Sequence, residues 1–372
     1  MNPDAPLSSH MIEGALLGTF SDISTCNRSC LQTIATPFAI LDLHFLSVQK
    51  TTLAIATSEG SVHIYRIDLE KWGNKVTLIK ESVVQLFDPS ILVLSLACYP
   101  SFDSSLGGSP SLIAVSASDG QVLIFDYMRY ITADRAKILG RSHAHSLEAW
   151  TVVWTSSSPN TDDKFAPLYS GGDDSALCRH RSSAHALDTV GDHSEEIQHL
   201  QDPVRRDRSN HSAGVTAILP LLANWPHKDE FLLTGSYDEY ARVLVLPVSG
   251  GRAKLLAEKS LGGGVWRLKL VDRVSLIEEG TYFLVLASCM HAGARLLKIE
   301  SSHDHATWSI SILAKFEEHK SMNYAGDGRV ESIDGFRSIG YTLVSTSFYD
   351  RKLCVWHIEH REGMMRLNPI RT

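Results

Sequence analysis

No stretch of this 372-residue chain is long and apolar enough to cross a bilayer. The N-terminal MNPDAPLSSHMIEG has no basic region ahead of an apolar core, so no secretory signal is expected. Neither sign of charge dominates. Lys and Arg number 35 against 42 Asp and Glu, a formal net charge of -7. That balance gives no reason to expect direct binding to nucleic acid or to a membrane surface. Cysteine is sparse. Cys26, Cys30, Cys98, Cys178, Cys289 and Cys354 are scattered and form no CxxC pair. They read as reduced thiols, and the expected setting is cytoplasmic. Several signatures of chemistry are missing too: no GxSxG elbow, no HExxH, no GxxxxGK[ST] phosphate loop. His303 and His305 flank Asp304 in SSHDHATW, which reads as a surface loop rather than a metal site. No metal or cofactor is expected.

What the chain has is a repeated phrase. LAIATSEGSVHIYRI (53–67), LIAVSASDGQVLIFD (112–126), LYSGGDDSALCRH (168–180), LLTGSYDEYARVLVL (232–246), LVLASCMHAGARLLKI (284–299) and LVSTSFYDRKLCVWHI (343–358) follow one plan. Each is an apolar strand, a short turn with Gly, Asp or His, and a second strand. The period-2 alternation in VHIYRI and ARVLVL marks half-buried strands. Most copies follow a further candidate strand, such as EAWTVVW (148–154) or GVTAILPLL (214–222). Lone sheets of this kind would expose an apolar face, and radial packing buries it. The pattern therefore predicts an all-β, WD40-type β-propeller, one domain over residues 1–372. Six blades are visible. A seventh is expected from residues 11–36 and the tail after 358, because closing the ring removes bare sheet edges. The alternatives are a pair of β-sandwiches or another solenoid. Residues 181–210 are polar and read as a flexible insertion between blades.

In such a blade the loop leading into the inner strand shares one end with the tight turn between the second and third strands. That end collects His145, His211 and Gly262 to Gly264 from the lead-in loops, with Tyr324 beside them. The turns supply Asp173, Asp174, Tyr237, Asp238, His291, Tyr349 and Asp350, and Trp150 and Trp266 fall just inside the inner strands. A lead-in His and a turn Asp often form a buried hydrogen-bonded brace, and that structural role competes with catalysis at His145, His211, Asp238 and Asp350. His291 stands where the turn Asp is usual, so a copied brace does not explain it. Composition and pattern alone favour a protein-binding propeller over an enzyme.

Eight segments carry a more specific resemblance. They are HSLEAW (145–150), YSGGDDSALCR (169–179), HSAGVTAI (211–218), LLTGSYDEYARV (232–243), GGGVWRLK (262–269), ASCMHAGARLL (287–297), EEHKSMNYAGD (317–327) and STSFYDRKLCVW (345–356). Together, in this order, they resemble the WD-repeat diphthine methyl ester hydrolases of diphthamide biosynthesis. The likeness covers most of the chain from residue 145. The family's Trp-Asp pairs are replaced by Arg179-His180 and Leu246-Pro247, and its Gly-Ala-Asp-Trp segment by Tyr324-Ala325-Gly326-Asp327.

The resemblance implies an enzyme that removes a methyl ester from the trimethylammonium-bearing precursor on elongation factor 2, releasing diphthine and methanol. It implies modified elongation factor 2 as partner, with other proteins of the pathway as further candidates. The chemistry then suggests roles. A quaternary ammonium is held by aromatic faces and negative charge. Trp150, Trp266, Tyr237 and Tyr324 offer faces, Asp173, Asp174 and Asp238 offer charge, and Tyr349 and Asp350 border the same mouth. Water attack on an ester needs a base and oxyanion donors. His145, His211 and His291 are the candidate bases, with Asp238 orienting one of the first two. Gly263, Gly264 and the preceding Gly262 offer backbone donors. The competing readings are an adaptor propeller that presents elongation factor 2 without turnover, and a generic scaffold.

Overall fold

The computed structural model describes residues 34–369 except 47–50, 70–75, 100–111, 128–136, 156–164, 184–199, 201–204, 222–228, 248–250, 277–279, 334–337 and 362–363. Among the described residues the chain forms six four-stranded antiparallel sheets, blades of an all-β propeller fold. It divides into two compact units, Met1–Arg206 and Asp207–Thr372, with three blades in each.

In the first unit, blade one holds Ile40–Phe45, Thr52–Thr57, Ser61–Leu69 and Val76–Gln85. Blade two holds Val93–Cys98, Leu112–Ala117, Gln121–Asp126 and Lys137–His143. Blade three holds Ala149–Trp154, Phe165–Gly172, Leu177–Ser183 and Arg205–Asp207, ending on the first residue of the second unit. In the second unit, blade four holds Val215–Pro220, Glu230–Ser236, Tyr240–Leu246 and Lys254–Ser260. Blade five holds Arg267–Leu276, Gly280–Ser288, Ala294–Ser301 and Trp308–Phe316. Blade six holds Asn323–Ile333, Ser338–Ser347, Lys352–Arg361 and Met364–Pro369.

The middle strands explain the apolar runs. All residues of Leu112–Ala117 and Gln121–Asp126 are buried, as expected for strands covered on both faces. Neighbouring blades supply the cover. Ile64, Val84, Leu96 and Ile113 share one cluster in the first unit, and Val243, Val265, Phe283 and Val285 share one in the second. Each such side chain contributes roughly 1.5–3 kcal/mol by leaving water. The outer strand Lys254–Ser260 is largely exposed, and its apolar signal is correspondingly faint.

Two sequence expectations change here. The tail after 358 does not help build a seventh blade. Met364–Pro369 pairs with Lys352–Arg361 and completes blade six. The rest of that expectation, residues 11–33, lies outside the described residues. Residues 181–210 are also not one insertion. Residues 181–183 end the strand Leu177–Ser183, Leu200 is buried against Gly140, and Arg205–Asp207 is the outer strand of blade three. Arg206 anchors that strand by donating to the carbonyls of Ala144 and His143, at 3.0 and 2.8 Å. Residues 184–199 and 201–204 lie outside the described residues.

Candidate functional site

Three blades share one polar brace. His145, His211 and His319 each lie four residues before the inner strands that begin at Ala149, Val215 and Asn323. Their Nε2 atoms meet a hydroxyl on the adjoining strand: Ser170 at 2.8 Å, Thr234 at 2.9 Å and Ser345 at 2.7 Å. The residue after each His donates its N–H to the turn carboxylate: Ser146 to Asp174, Ser212 to Asp238 and Lys320 to Asp350. These contacts tie lead-in loop to tight turn, so both lie at the same end of each blade.

The brace in blade three has the connectivity of a catalytic triad. Asp174 Oδ1 accepts from His145 Nδ1 at 2.8 Å, and Ser170 Oγ donates to Nε2. Its members are enclosed. Ser170 is wholly buried, and its oxygen is also held by His180 Nε2 at 2.9 Å. The His145 side chain is itself 0% exposed. His211 is equally enclosed, and burial, aided by the Arg242 charge, pushes its pKa down to about 4. The structure places both His145 and His211 in buried braces, each ring against a strand hydroxyl. Asp238 does not orient either ring. Its carboxylate accepts from Ser212 N–H and Oγ, Tyr240 N–H and Arg242, the last at 2.9 Å. Those donors hold it ionised, below its ordinary range although burial pulls the other way. Asp350 likewise accepts from Lys320 N–H and Ser347 Oγ.

Blade five breaks the series. Gly264-Val265-Trp266 matches Gly214-Val215-Thr216 of blade four. A shared backbone bond fixes the match: Leu261 N–H donates to Glu239 O, as His145 N–H donates to Gly120 O. Leu261 then stands where His211 stands in blade four. Ala287, which pairs with Arg295, stands where Thr234 pairs with Arg242. His291 stands where Asp238 stands. Leu261 and Ala287 are buried in the apolar cluster, and the turn is left with an exposed His291. Among the described residues the N–H groups of Gly262, Gly263 and Gly264 meet no acceptor, whereas Leu261, Val265 and Trp266 each donate to a carbonyl. Gly263 and Gly264 are buried against the His291 turn. A Cβ on Gly263 would lie 2.5 Å from Cys289 O, and one on Gly264 would lie 2.9 Å from Met290 Sδ and 3.3 Å from Tyr237 Cδ1.

An aromatic row crosses the same ends of blades four, five and six. Ring centroids are 5.9 Å apart for Tyr237–Trp266, 5.3 Å for Trp266–Tyr324, 6.0 Å for Tyr324–Phe348 and 5.0 Å for Phe348–Tyr349. Tyr349 is 67% exposed. Burial, with Tyr349 nearby, holds the Tyr324 phenol above its ordinary pKa. Tyr324 sits at a register shift between Asn323 and Ala325, and a bulge of this kind re-aims a side chain. Trp150 occupies the corresponding bulge in blade three and donates from Nε1 to Asp173 Oδ1 at 3.0 Å. That pair belongs to the first unit, and the row belongs to the second.

Sequence reasoning missed His319, Phe348 and Arg267. The four-residue offset shared with His145 and His211 identifies His319. Arg267 lies 5.5 Å from the Trp266 ring centroid, and no motif marks it. Among the described residues no cluster of metal-binding side chains occurs, and no helix is long and apolar enough to span a membrane.

The sheets and their braces define a WD40-type propeller with a histidine and an aromatic row at one blade end. Solved structures agree on the fold. One is a chain of the Mitotic Checkpoint Complex, with TM-score 0.53, 14% identity, and coverage of 92% of this chain and 80% of that chain. Another is Chaetomium thermophilum Sqt1 bound to the N-terminus of the ribosomal protein L10, at 0.52, 14%, 87% and 75%. No family model matches the chain. Relatives in sequence are more specific. Diphthine methyltransferase of Schizosaccharomyces pombe is 32% identical over 319 residues, covering 86% of this chain and 78% of the relative. The Saccharomyces cerevisiae protein of that name is 27% identical over 376 residues, covering 90% and 87%. The Homo sapiens protein of that name is 26% identical over 292 residues, covering 78% of this chain and 55% of the relative. The chain belongs to the diphthine methyltransferase family, which gives it a role in diphthamide biosynthesis.

Proposed function

We propose that the protein is a diphthine methyl ester hydrolase. It takes elongation factor 2 bearing the esterified, trimethylated precursor and releases methanol, leaving diphthine, in the cytoplasm. The observation that carries this reading is the altered blade five: an exposed, unbraced His291 on a turn that packs against Gly263 and Gly264, whose N–H groups meet no acceptor among the described residues, with Tyr237 of the aromatic row against Gly264. The trimethylammonium lies against Tyr237, Trp266 and Tyr324, whose ring faces attract a cation that cannot donate hydrogen bonds. His291 takes a proton from water as the water oxygen bonds to the ester carbonyl carbon. The carbonyl oxygen becomes the oxyanion and accepts from the backbone of Gly262, Gly263 and Gly264. When the carbon–oxygen bond to methoxide breaks, His291 returns the proton and methanol leaves. The carboxylic acid product ionises to diphthine.

The buried serine of blade three argues against a covalent acyl intermediate there, because no substrate carbonyl can reach Ser170 Oγ. The test is incubation of the purified chain with methyl-esterified elongation factor 2, followed by intact mass. Loss of one methylene mass together with released methanol supports hydrolysis. Tight binding with no mass change gives the adaptor reading. A mass gain that requires a methyl donor gives the transferase reading.

A further inference from the structure

One ring of the aromatic row belongs to a one-residue insertion. In blade four the Tyr237 N–H donates to the carbonyl of Gly214, the residue before the inner strand, and Asp238 follows at once. Ser58, Ser118 and Asp173 make the same bond in blades one to three, each followed directly by an acidic residue. In blade six Phe348 N–H bonds Met322 O in this way, but Tyr349 comes next and Asp350 only after it. The turn beyond is unaltered. The residue after the acid is left-handed in blades three, four and six, with φ of 59° at Ser175, 72° at Glu239 and 51° at Arg351. The lead-in loop also keeps its length, with His319 four residues before Asn323. The extra residue is therefore taken up in front of Asp350, and Tyr349 is left 67% exposed.

The insertion is nonetheless held in place. Tyr349 N–H donates to Ser321 Oγ at 2.7 Å, between the Lys320–Asp350 and Met322–Phe348 bonds. Three successive contacts thus pin it to the lead-in loop. A ring this exposed adds little to the core, so packing does not account for it. A pinned, exposed tyrosine instead offers a large contact area at small entropy cost on binding. Cation–π attraction acts within about 6 Å of a ring centroid. In the chain of ring contacts Tyr349 stands two steps beyond Tyr324, at 6.0 and 5.0 Å. It continues the row past the cage rather than lining it.

We infer that Tyr349 is a docking residue for the polypeptide that carries the modified histidine. Its ring packs on the main chain and side chains flanking that histidine, while the trimethylated group lies on Tyr237, Trp266 and Tyr324. The continuity of the row selects this occupant. A chain anchored in the cage by one side chain lies along the rings that continue from it. This inference rests on the cage of the proposed function and adds to it a contact that is blind to the modification.

The experiment measures binding of elongation factor 2 in two forms, one with the trimethylated methyl ester and one with the histidine unmodified. The binders are the wild type, Tyr349→Ala, Tyr349→Phe and Trp266→Leu, each checked by thermal melt. The wild type is expected to bind both forms, the ester more tightly. Tyr349→Ala is expected to weaken both by the same factor, about tenfold, as for truncation of an interface tyrosine. Tyr349→Phe keeps the ring and should stay within about threefold of wild type. Trp266→Leu should weaken the ester form alone. Tyr349→Ala binding both forms within about twofold of wild type overturns the inference. So does a loss confined to the ester form, which would put Tyr349 in the cage, or wild-type binding confined to that form. In each case a loss of ester affinity on Trp266→Leu leaves the cage standing. Conversely, Trp266→Leu without effect, beside a Tyr349→Ala that weakens both forms, removes the cage and keeps the docking residue. Light scattering covers the other occupant: a wild-type dimer that Tyr349→Ala dissociates overturns the inference in favour of a second copy. Failure of the folded wild type to bind either form removes both the cage and this inference.

Discussion

The brace of blade four makes a quantitative claim about acid stability. His211 is buried at 6% exposure, and its pKa is pushed from 6.5 down to about 4. The folded state therefore holds the ring neutral over a range where the unfolded chain protonates it. Stability rises with pH wherever the unfolded state binds more protons. The contribution is fully present above 6.5, and it is lost as pH falls towards 4. At about 1.36 kcal/mol per pH unit, the loss between about pH 7.5 and about pH 5 comes to about 2 kcal/mol, and the full loss approaches about 3. Blade five shows the repair. Changing His211→Leu with Thr234→Ala gives blade four the buried pair that Leu261 and Ala287 already form. Asp238 keeps Arg242, Ser212 and Tyr240 as donors. Urea unfolding across this pH range reads the difference directly. The double variant should lose about 2 kcal/mol less than wild type on acidification, and carboxylates common to both cancel. Equal acid losses in the two proteins would refute a neutral, buried His211.

Three further outcomes follow from the same geometry. His291→Asn should lower single-turnover methyl release by on the order of 10²–10⁴ while leaving the melting temperature unchanged, because the ring is exposed and outside the brace series; turnover within threefold of wild type would remove it as base. Gly264→Ala places a methyl 2.9 Å from Met290 Sδ and 3.3 Å from Tyr237 Cδ1; the flexible Met yields, so the fold should persist while substrate affinity falls, and unchanged affinity in a binding assay would count against the cage. Leu261→His alone should destabilise by roughly 1–3 kcal/mol, since the imidazole enters an apolar site without a hydroxyl; adding Ala287→Thr should recover part of this in denaturant titrations, and no recovery would refute the equivalence of blades four and five.

The sequence carried the blades because each tight turn sits between apolar runs. Runs such as Leu112–Ala117 are buried on both faces and keep their signal whatever surrounds them. Outer strands do not. Lys254–Ser260 is mostly exposed and reads as a polar segment. Met364–Pro369 is defined by its pairing with Lys352–Arg361, which no local pattern announces. At the site, Trp150 and Trp266 were legible as aromatics at strand starts, and Tyr324 as an aromatic beside the lead-in loops. The brace was legible as a rival role for His145 and His211, but the burial of both rings was not, because it depends on neighbouring strands. Phe348 and Arg267 escaped notice because their meaning lies in contacts to Tyr324 and Trp266 from elsewhere in the chain.

The departures in blade five are more informative together than singly. Removing one partner of a buried hydrogen bond costs about 1–3 kcal/mol, whereas replacing both by apolar groups is nearly neutral. A turn Asp changed to His beside an intact brace would put a second imidazole where Arg242 and Ser212 meet a carboxylate in blade four. A brace His changed to Leu beside an intact hydroxyl would leave that hydroxyl bare. Leu261, Ala287 and His291 avoid both penalties only as a set. The apolar pair keeps the blade end packed without a carboxylate, so the turn is free to carry an exposed imidazole. The same loss releases the Gly262 N–H, whose counterpart at Ser212 is bound to Asp238. An exposed imidazole and a backbone donor thus appear at one blade end through a packing change that costs the fold little. That coupling is the physical reason to look for chemistry at blade five and for scaffolding at blades three, four and six.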